Sequence, residues 1–308
     1  MKSFLLLAPA LLLSCASFAQ VKVKTDAQTE NLSGKVRDVQ QKYYAVEHEG
    51  GKDTIGAQFE TSGMNYATTY TENGYVSESK VFVAGAKLES RYTITYDANG
   101  KKSEETFYTE ENEIDYKLSY KYSAKGFLME TKKTDADGEV TEKYVYEVDP
   151  TGHPVKYSLY DGSDVLAGTA KFLYDEYGCC IEEDYFDAKN KPEKKVLYKY
   201  DGRHLRISEE RYGGDGMLQA RSLMQYDARE NLTQQQNFDN NGKLVEKNTF
   251  SYNDQNNLVK WTNLGRTGGV IYEYTYTYVL DANGNWIRKT EYHNGTAAFV
   301  AKREISYY

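Results

Sequence analysis

Bulky side chains recur at a fixed step along most of this chain. Tyr70, Tyr96, Tyr122, Tyr174, Tyr200, Tyr226 and Tyr252 all fit a step of 26 residues, Val148 fills the one gap, and Leu280 continues the series after a two-residue insertion. Each is followed by a turn-forming stretch, as in Asp97-Ala98-Asn99-Gly100 and Asp281-Ala282-Asn283-Gly284. A second series lies between: Phe82, Tyr108, Thr134, Tyr160, Phe186, Tyr212, Phe238, Leu264 and Tyr292. Turn residues follow these too, as in Asp135-Ala136-Asp137-Gly138. The series interleave at steps of 12 and 14. Each repeat therefore holds two strands of about eight or nine residues and two tight turns, an antiparallel run of hairpins. Two-residue alternation and a turn every dozen residues leave no place for helices.

Asp at the first turn position and Gly at the fourth suit a type I turn closed by a left-handed residue. That geometry pairs Tyr96 with Lys102, Tyr122 with Leu128, Tyr226 with Leu232 and Tyr252 with Leu258. Partners six apart keep the same parity, so one face of the sheet should carry the even-numbered residues. From Tyr66 onward, 23 of 28 tyrosines are even-numbered. The expected fold is all-β: tandem 26-residue β-hairpin repeats forming one long, twisted, curled antiparallel meander, a β-solenoid-like or spiral sheet with a tyrosine ladder on one side. Open twisted sheets beyond about ten strands rarely stay flat.

Upstream the pattern changes. Residues 1–19 read as a signal peptide: Lys2, an apolar run from Phe4 to Leu13, and Ser17-Phe18-Ala19 as the cleavage site. Leu12-Leu13-Ser14-Cys15 offers a second route, a lipid anchor on Cys15. Residues 20–65 form a leader and opening strands, with Gln20 to Asn31 a loose polar stretch and Leu32 to Val46 the first strands. Residues 66–308 are the repeat domain.

Leu, Ile, Val and Phe make up about a fifth of the 308 residues, and the formal net charge is −8. That balance alone points toward disorder. The 30 tyrosines reverse it, because each buries a ring and keeps a polar tip. The acidic charge argues against a nucleic-acid partner. The mean hydropathy of −0.75 and the short leader run imply no transmembrane span. Cys179 and Cys180 are adjacent on a strand, so no disulfide staple is expected.

The element Tyr198-Lys199-Tyr200-Asp201, seen in part at Thr95-Tyr96-Asp97-Ala98-Asn99-Gly100, resembles the YD repeats of RHS-repeat proteins. The similarity covers residues 66–308. Together with the opening Leu32-Ser33-Gly34-Lys35-Val36, it is similar to small exported bacterial members of that group, some of which carry a sugar-binding label. The resemblance implies a continuous antiparallel ribbon that curls or spirals.

Chemistry is sparse. His48, His153, His204 and His293 have no metal-ligand spacing, and neighbouring carboxylates such as Glu182-Glu183 point to opposite faces of a strand. The reading is therefore not an enzyme, with no catalytic residue, metal or cofactor. It is a binding or scaffold module in the cell envelope of a Gram-negative bacterium, in the periplasm, at the cell surface or secreted, facing a protein or glycan partner. The alternative is a carbohydrate-binding protein using the aromatic face at Tyr96, Tyr122, Tyr146, Tyr174, Tyr200, Tyr226 and Tyr252. A hydrolase rests only on the abundance of carboxylates.

Overall fold

The computed structural model describes residues 24–59, 63–83 and 86–308. The export segment and Cys15 lie outside the described residues. A single helical turn, α1 (Asp26–Thr29), precedes the strands β1 (Val36–Glu49), β2 (Lys52–Gln58), β3 (Asn65–Tyr70), β4 (Val76–Val83), β5 (Lys87–Tyr96), β6 (Lys102–Tyr108) and β7 (Ile114–Tyr122). These continue as β8 (Leu128–Asp135), β9 (Val140–Val148), β10 (Pro154–Asp161), β11 (Leu166–Tyr174), β12 (Cys180–Asp187), β13 (Pro192–Tyr200) and β14 (Arg206–Gly213). The last seven are β15 (Leu218–Tyr226), β16 (Leu232–Asp239), β17 (Leu244–Tyr252), β18 (Leu258–Gly265), β19 (Val270–Leu280), β20 (Trp286–His293) and β21 (Thr296–Tyr307).

The turns form for a local reason. Asp97 Oδ1 accepts from the backbone N–H of Asn99 at 2.8 Å and of Lys101 at 2.9 Å, while the Gly100 N–H donates to the Asp97 carbonyl at 3.0 Å. Gly100 has φ +76°, where a Cβ would be strained. Asp239 builds the same loop with Asn241 and Lys243. At six hairpins with the same turn bond a side chain occupies the left-handed position instead, at Asn112, Asp164, Asn190, His204, Glu230 and Asn256.

Tyr96 does pair with Lys102, but the next pair is Thr95 with Glu104. An extra residue therefore sits opposite each turn, a β-bulge, and it shifts the register by one. The even-face expectation fails for this reason. Even residues of β5 and β7 share a face with odd residues of β6, as the pairs Tyr92–Phe107 and Phe107–Tyr116 show. The tyrosines are split accordingly. Tyr92, Tyr116 and Tyr120 lie on one face, whereas Tyr108 lies on the other, where Arg91 covers its ring at 4.3 Å.

The sheet does not spiral. β21 pairs antiparallel with β1, from Val36–Tyr307 to Ala45–Phe299, and the opposite edge of β1 pairs with β3. β2 pairs with the far end of β1 as an appendage. The result is a closed 20-strand antiparallel barrel rather than an open solenoid or curled meander. Closure satisfies the two strand edges that an open ribbon leaves exposed. It also corrects the expectation of no transmembrane span. No helix among the described residues is long and apolar enough to cross a membrane. Barrels that cross a membrane do so with strands, however, and neither mean hydropathy nor the length of an apolar run bears on strands.

Residues 25–33 are not a loose leader. The Ala27 N–H donates to the Gly74 carbonyl at 3.0 Å, and Asn31 Nδ2 donates to the Gln255 carbonyl at 2.8 Å. The Ser33 N–H then donates to Asn285 Oδ1 at 2.7 Å. Along the wall, the β3–β4 and β17–β18 hairpins are six strand spacings apart, about 29 Å at about 4.8 Å each. Four residues of chain reach at most about 14 Å. The segment therefore runs as a chord on the concave side of the wall, a strap across one rim. Ala27 and Leu32 pack there with Val36, Val39 and Tyr70. The face to which Val39 and Tyr70 belong is thus the inner face, and the ring-rich wall of Tyr92, Phe107 and Tyr116 is continuous with it.

The outward face is a ladder of ion pairs: Lys117–Glu104 at 3.1 Å, Lys195–Glu182 at 2.8 Å and Lys260–Glu273 at 3.0 Å. Exposed pairs of this kind are each worth little.

Candidate functional site: the inward-facing wall

Rings line much of the inner wall. Phe107 stacks on Tyr116 at 4.4 Å, and Tyr157 meets Tyr144 edge-on at 5.4 Å. A barrel of 20 strands exceeds the 16–18 strands at which an aqueous channel remains. Most inner tyrosines, Tyr92, Tyr116, Tyr120 and Tyr198 among them, are half-buried rather than sealed.

Of the seven tyrosines singled out from the sequence, six are clasps. Tyr96 donates its hydroxyl to the Val76 carbonyl at 2.7 Å, Tyr122 to Lys102 at 2.9 Å and Tyr174 to Pro154 at 2.9 Å. Tyr200, Tyr226 and Tyr252 repeat the bond to Cys180, Arg206 and Leu232 at 2.7, 2.9 and 3.0 Å. Each spans 20 residues and ties a hairpin to the one before it at the strapped rim. Tyr278 makes the same bond to Leu258 at 2.6 Å, and Tyr308 closes the circle on the Tyr70 carbonyl at 2.6 Å. Tyr146, the seventh, is buried in the wall, 6.3 Å from the Tyr157 ring. The structure thus places all seven together on the inner face, with six hydroxyls committed to the wall. The step of 26 revealed the set. The partner is the first residue of the neighbouring strand, 20 residues back, which a repeat pattern does not show.

Two carboxylates on this wall are paired. Glu105, 9% exposed, accepts from Tyr120 Oη and Lys102 Nζ, both at 2.8 Å. Glu209 is held between Arg206 at 3.0 Å and Arg211 at 2.6 Å. Desolvation raises the inner phenols, and Tyr157 is pushed up to about 12. At the strapped rim, burial pushes the Asp149 carboxyl up, but hydrogen bonds from Thr151 and the His153 backbone outweigh it and hold the group at about 2. His153 stacks on Tyr174 at 4.8 Å and His204 lies 4.7 Å from Tyr177, so both turn histidines bridge adjacent hairpins. Among the described residues no three His, Cys, Asp or Glu side chains converge as a metal site.

From β15 to β19 the inner wall changes character, and no motif in the sequence marked this stretch. Ser222 Oγ lies 2.8 Å from Asn237 Oδ1, and Asn237 Nδ2 donates to Glu246 Oε1 at 2.7 Å. Asn263 Nδ2 donates to both Glu246 Oε2 at 3.1 Å and Asn248 Oδ1 at 2.8 Å. Trp261 Nε1 also donates to Asn248 Oδ1, at 2.9 Å, and its ring stacks on Tyr274 at 4.9 Å. Five strands thus contribute to one network of amides, a carboxylate and two stacked rings.

No family model matches the chain, and no curated protein matches it. Among solved structures it is similar to a porin-like protein from Bacteroides uniformis, at 10% identity over 89% of this chain and 99% of that one, with a TM-score of 0.37. A porin-like protein from Bacteroides vulgatus is similar at 11% identity over 72% of this chain and 95% of that one, with a TM-score of 0.32. TcdB2-TccC3 without its hypervariable C-terminal region is similar at 14% identity over 79% of this chain and 16% of that one, with a TM-score of 0.27.

Proposed function

We propose that this chain is an exported, non-catalytic barrel of the bacterial envelope, acting as a binding module for a protein or glycan that meets its inner wall. The observation that carries the reading is a closed barrel with its ring-rich face turned inward and only half-buried. Such a surface offers flat apolar bodies with polar handles to whatever enters. The leader at residues 1–19 supports export. The 26-residue hairpins with Asp-led turns support kinship with the YD-repeat group, which stays part of this proposal.

Fractionation of cells expressing the full chain tests location. Recovery in the envelope fraction or medium is expected, and retention in the cytosol would overturn export. Reach of the inner wall is tested on the mature chain with acrylamide, which should quench tyrosine and tryptophan emission to a large extent in the folded state. Emission untouched until the chain unfolds would mean a sealed interior and sink the binding role.

A further inference from the structure

We infer that the amide network of β15–β19 is a subsite for a neutral, polyhydroxylated ligand, a glycan segment laid along Trp261. This rests on the reading above only in requiring that the inner wall be reachable.

Three observations converge. First, Tyr274 backs one face of the half-buried Trp261 indole, 4.9 Å away with 17° between the planes, so the opposite indole face is the apolar platform a ligand would meet. Such a surface matches the C–H face of a pyranose ring. Second, the hydrogen-bonding groups beside the platform are partly unused. Asn248 Oδ1 accepts from Trp261 and Asn263, whereas its Nδ2 has no partner among the described residues. Asn263 spends both Nδ2 protons on Glu246 and Asn248, and its Oδ1 has no partner. Asn248 and Asn263 are only 8% and 6% exposed, but neither spare atom is among the fully sealed, unbonded side-chain atoms of the described residues, which are Thr131 Oγ1 and Arg221 Nε. A held donor and a held acceptor next to an aromatic platform are what a vicinal diol requires, since each hydroxyl both donates and accepts. Third, the network is oriented before any ligand arrives. Asn237 and Asn263 grip the two oxygens of Glu246, and Asn248 is fixed by two donors, so little side-chain freedom is lost on binding. The one charged group in the network, Glu246, is anionic. An anionic ligand would meet it without a cation to offset it, so the ligand class is neutral.

The repeat itself argues that the network was not needed to build the wall. Positions one to six repeats before Asn248 hold Ser222, Val196, Ala170, Tyr144, Leu118 and Tyr92. The wall closes with any of these.

The test uses the mature chain carrying Trp286→Phe, so that Trp261 is the sole indole. Maltohexaose, cellohexaose, xylohexaose and chitohexaose are titrated as neutral probes, with oligogalacturonate as the anionic control. Saturable change in Trp261 emission with at least one neutral probe is expected. Asn248→Ala and Asn263→Ala should each weaken it ten-fold or more, while the clasp variant Tyr308→Phe binds unchanged; melting curves confirm that each variant is folded. A response confined to oligogalacturonate overturns the neutral class. No response to any neutral probe, while acrylamide still quenches Trp261, overturns the subsite and leaves a reachable barrel in place. Failure of acrylamide to reach Trp261 overturns both.

Discussion

The wall from β5 to β13 and the wall from β15 to β18 occupy matching places in the repeat but show the interior different chemistry. In the first, inner positions hold Tyr92, Phe107, Tyr116, Tyr144 and Tyr157, in contact ring to ring. In the second, the matching positions hold Ser222, Asn237, Glu246, Asn248 and Trp261, joined through Asn263 by hydrogen bonds. Asp-led turns recur in both, as at Asp97, Asp135, Asp227 and Asp239, and so does the tyrosine-to-carbonyl clasp. The backbone is thus held at the rims, by groups independent of what the mid-strand positions carry. Mid-strand chemistry is free to vary, and that is where a site can differ from its scaffold.

The sharpest way to break this contrast is to truncate one residue in each arc. Tyr146→Ala removes a buried ring and should cost about 3–5 kcal/mol. Asn248→Ala removes a partner of Trp261 and Asn263 and should cost about 1–3 kcal/mol. Urea midpoints at unchanged slope would measure both, and equal losses would erase the distinction.

Alkali should probe the burial of the ring-rich arc. The inner phenols of Tyr120, Tyr144, Tyr157 and Tyr198 are raised, chiefly by desolvation. A raised phenol is neutral in the fold and ionises earlier once unfolded. Its contribution is therefore complete below about pH 10 and is lost as pH climbs through the folded value, about 12 for Tyr157. Phenolate absorbance should lag behind that of the unfolded chain until the barrel opens. Ionisation of all tyrosines at about pH 10 with the barrel intact would contradict the burial of this arc.

Rim clasps should be alike in both arcs. Tyr122→Phe and Tyr252→Phe each delete one hydroxyl-to-carbonyl bond, for about 1 kcal/mol apiece. A loss in one arc alone would show that the rims are not equivalent. The smallest effect, and the only gain, is expected from Glu230→Gly. It relieves a left-handed side chain at φ 68° and should add about 0.5–1 kcal/mol, read as a higher Tm.

The repeat step, the hairpins and their turn chemistry were legible in the residues, because an Asp carboxylate, two nearby N–H groups and a left-handed Gly act within five residues of each other. The predicted tyrosines were found by their step, yet their roles were not: a hydroxyl reaches a carbonyl 20 residues back only once its strand has paired with the one before it. The amide network escaped notice because its members come from separate strands and share no spacing. The bulge at each hairpin was implied by the turn type, but its effect on parity adds up only across a paired sheet.

Local sequence therefore determined the strands and the points where they reverse, since those depend on bonds between near neighbours. Tertiary structure decided that the ribbon closes, which face turns inward and that residues 25–33 strap one rim. These outcomes depend on twist and register summed over twenty strands and on the pairing of β1 with β21. Val39 and Ile305 meet across the whole length of the chain, and no short stretch of residues specifies that contact.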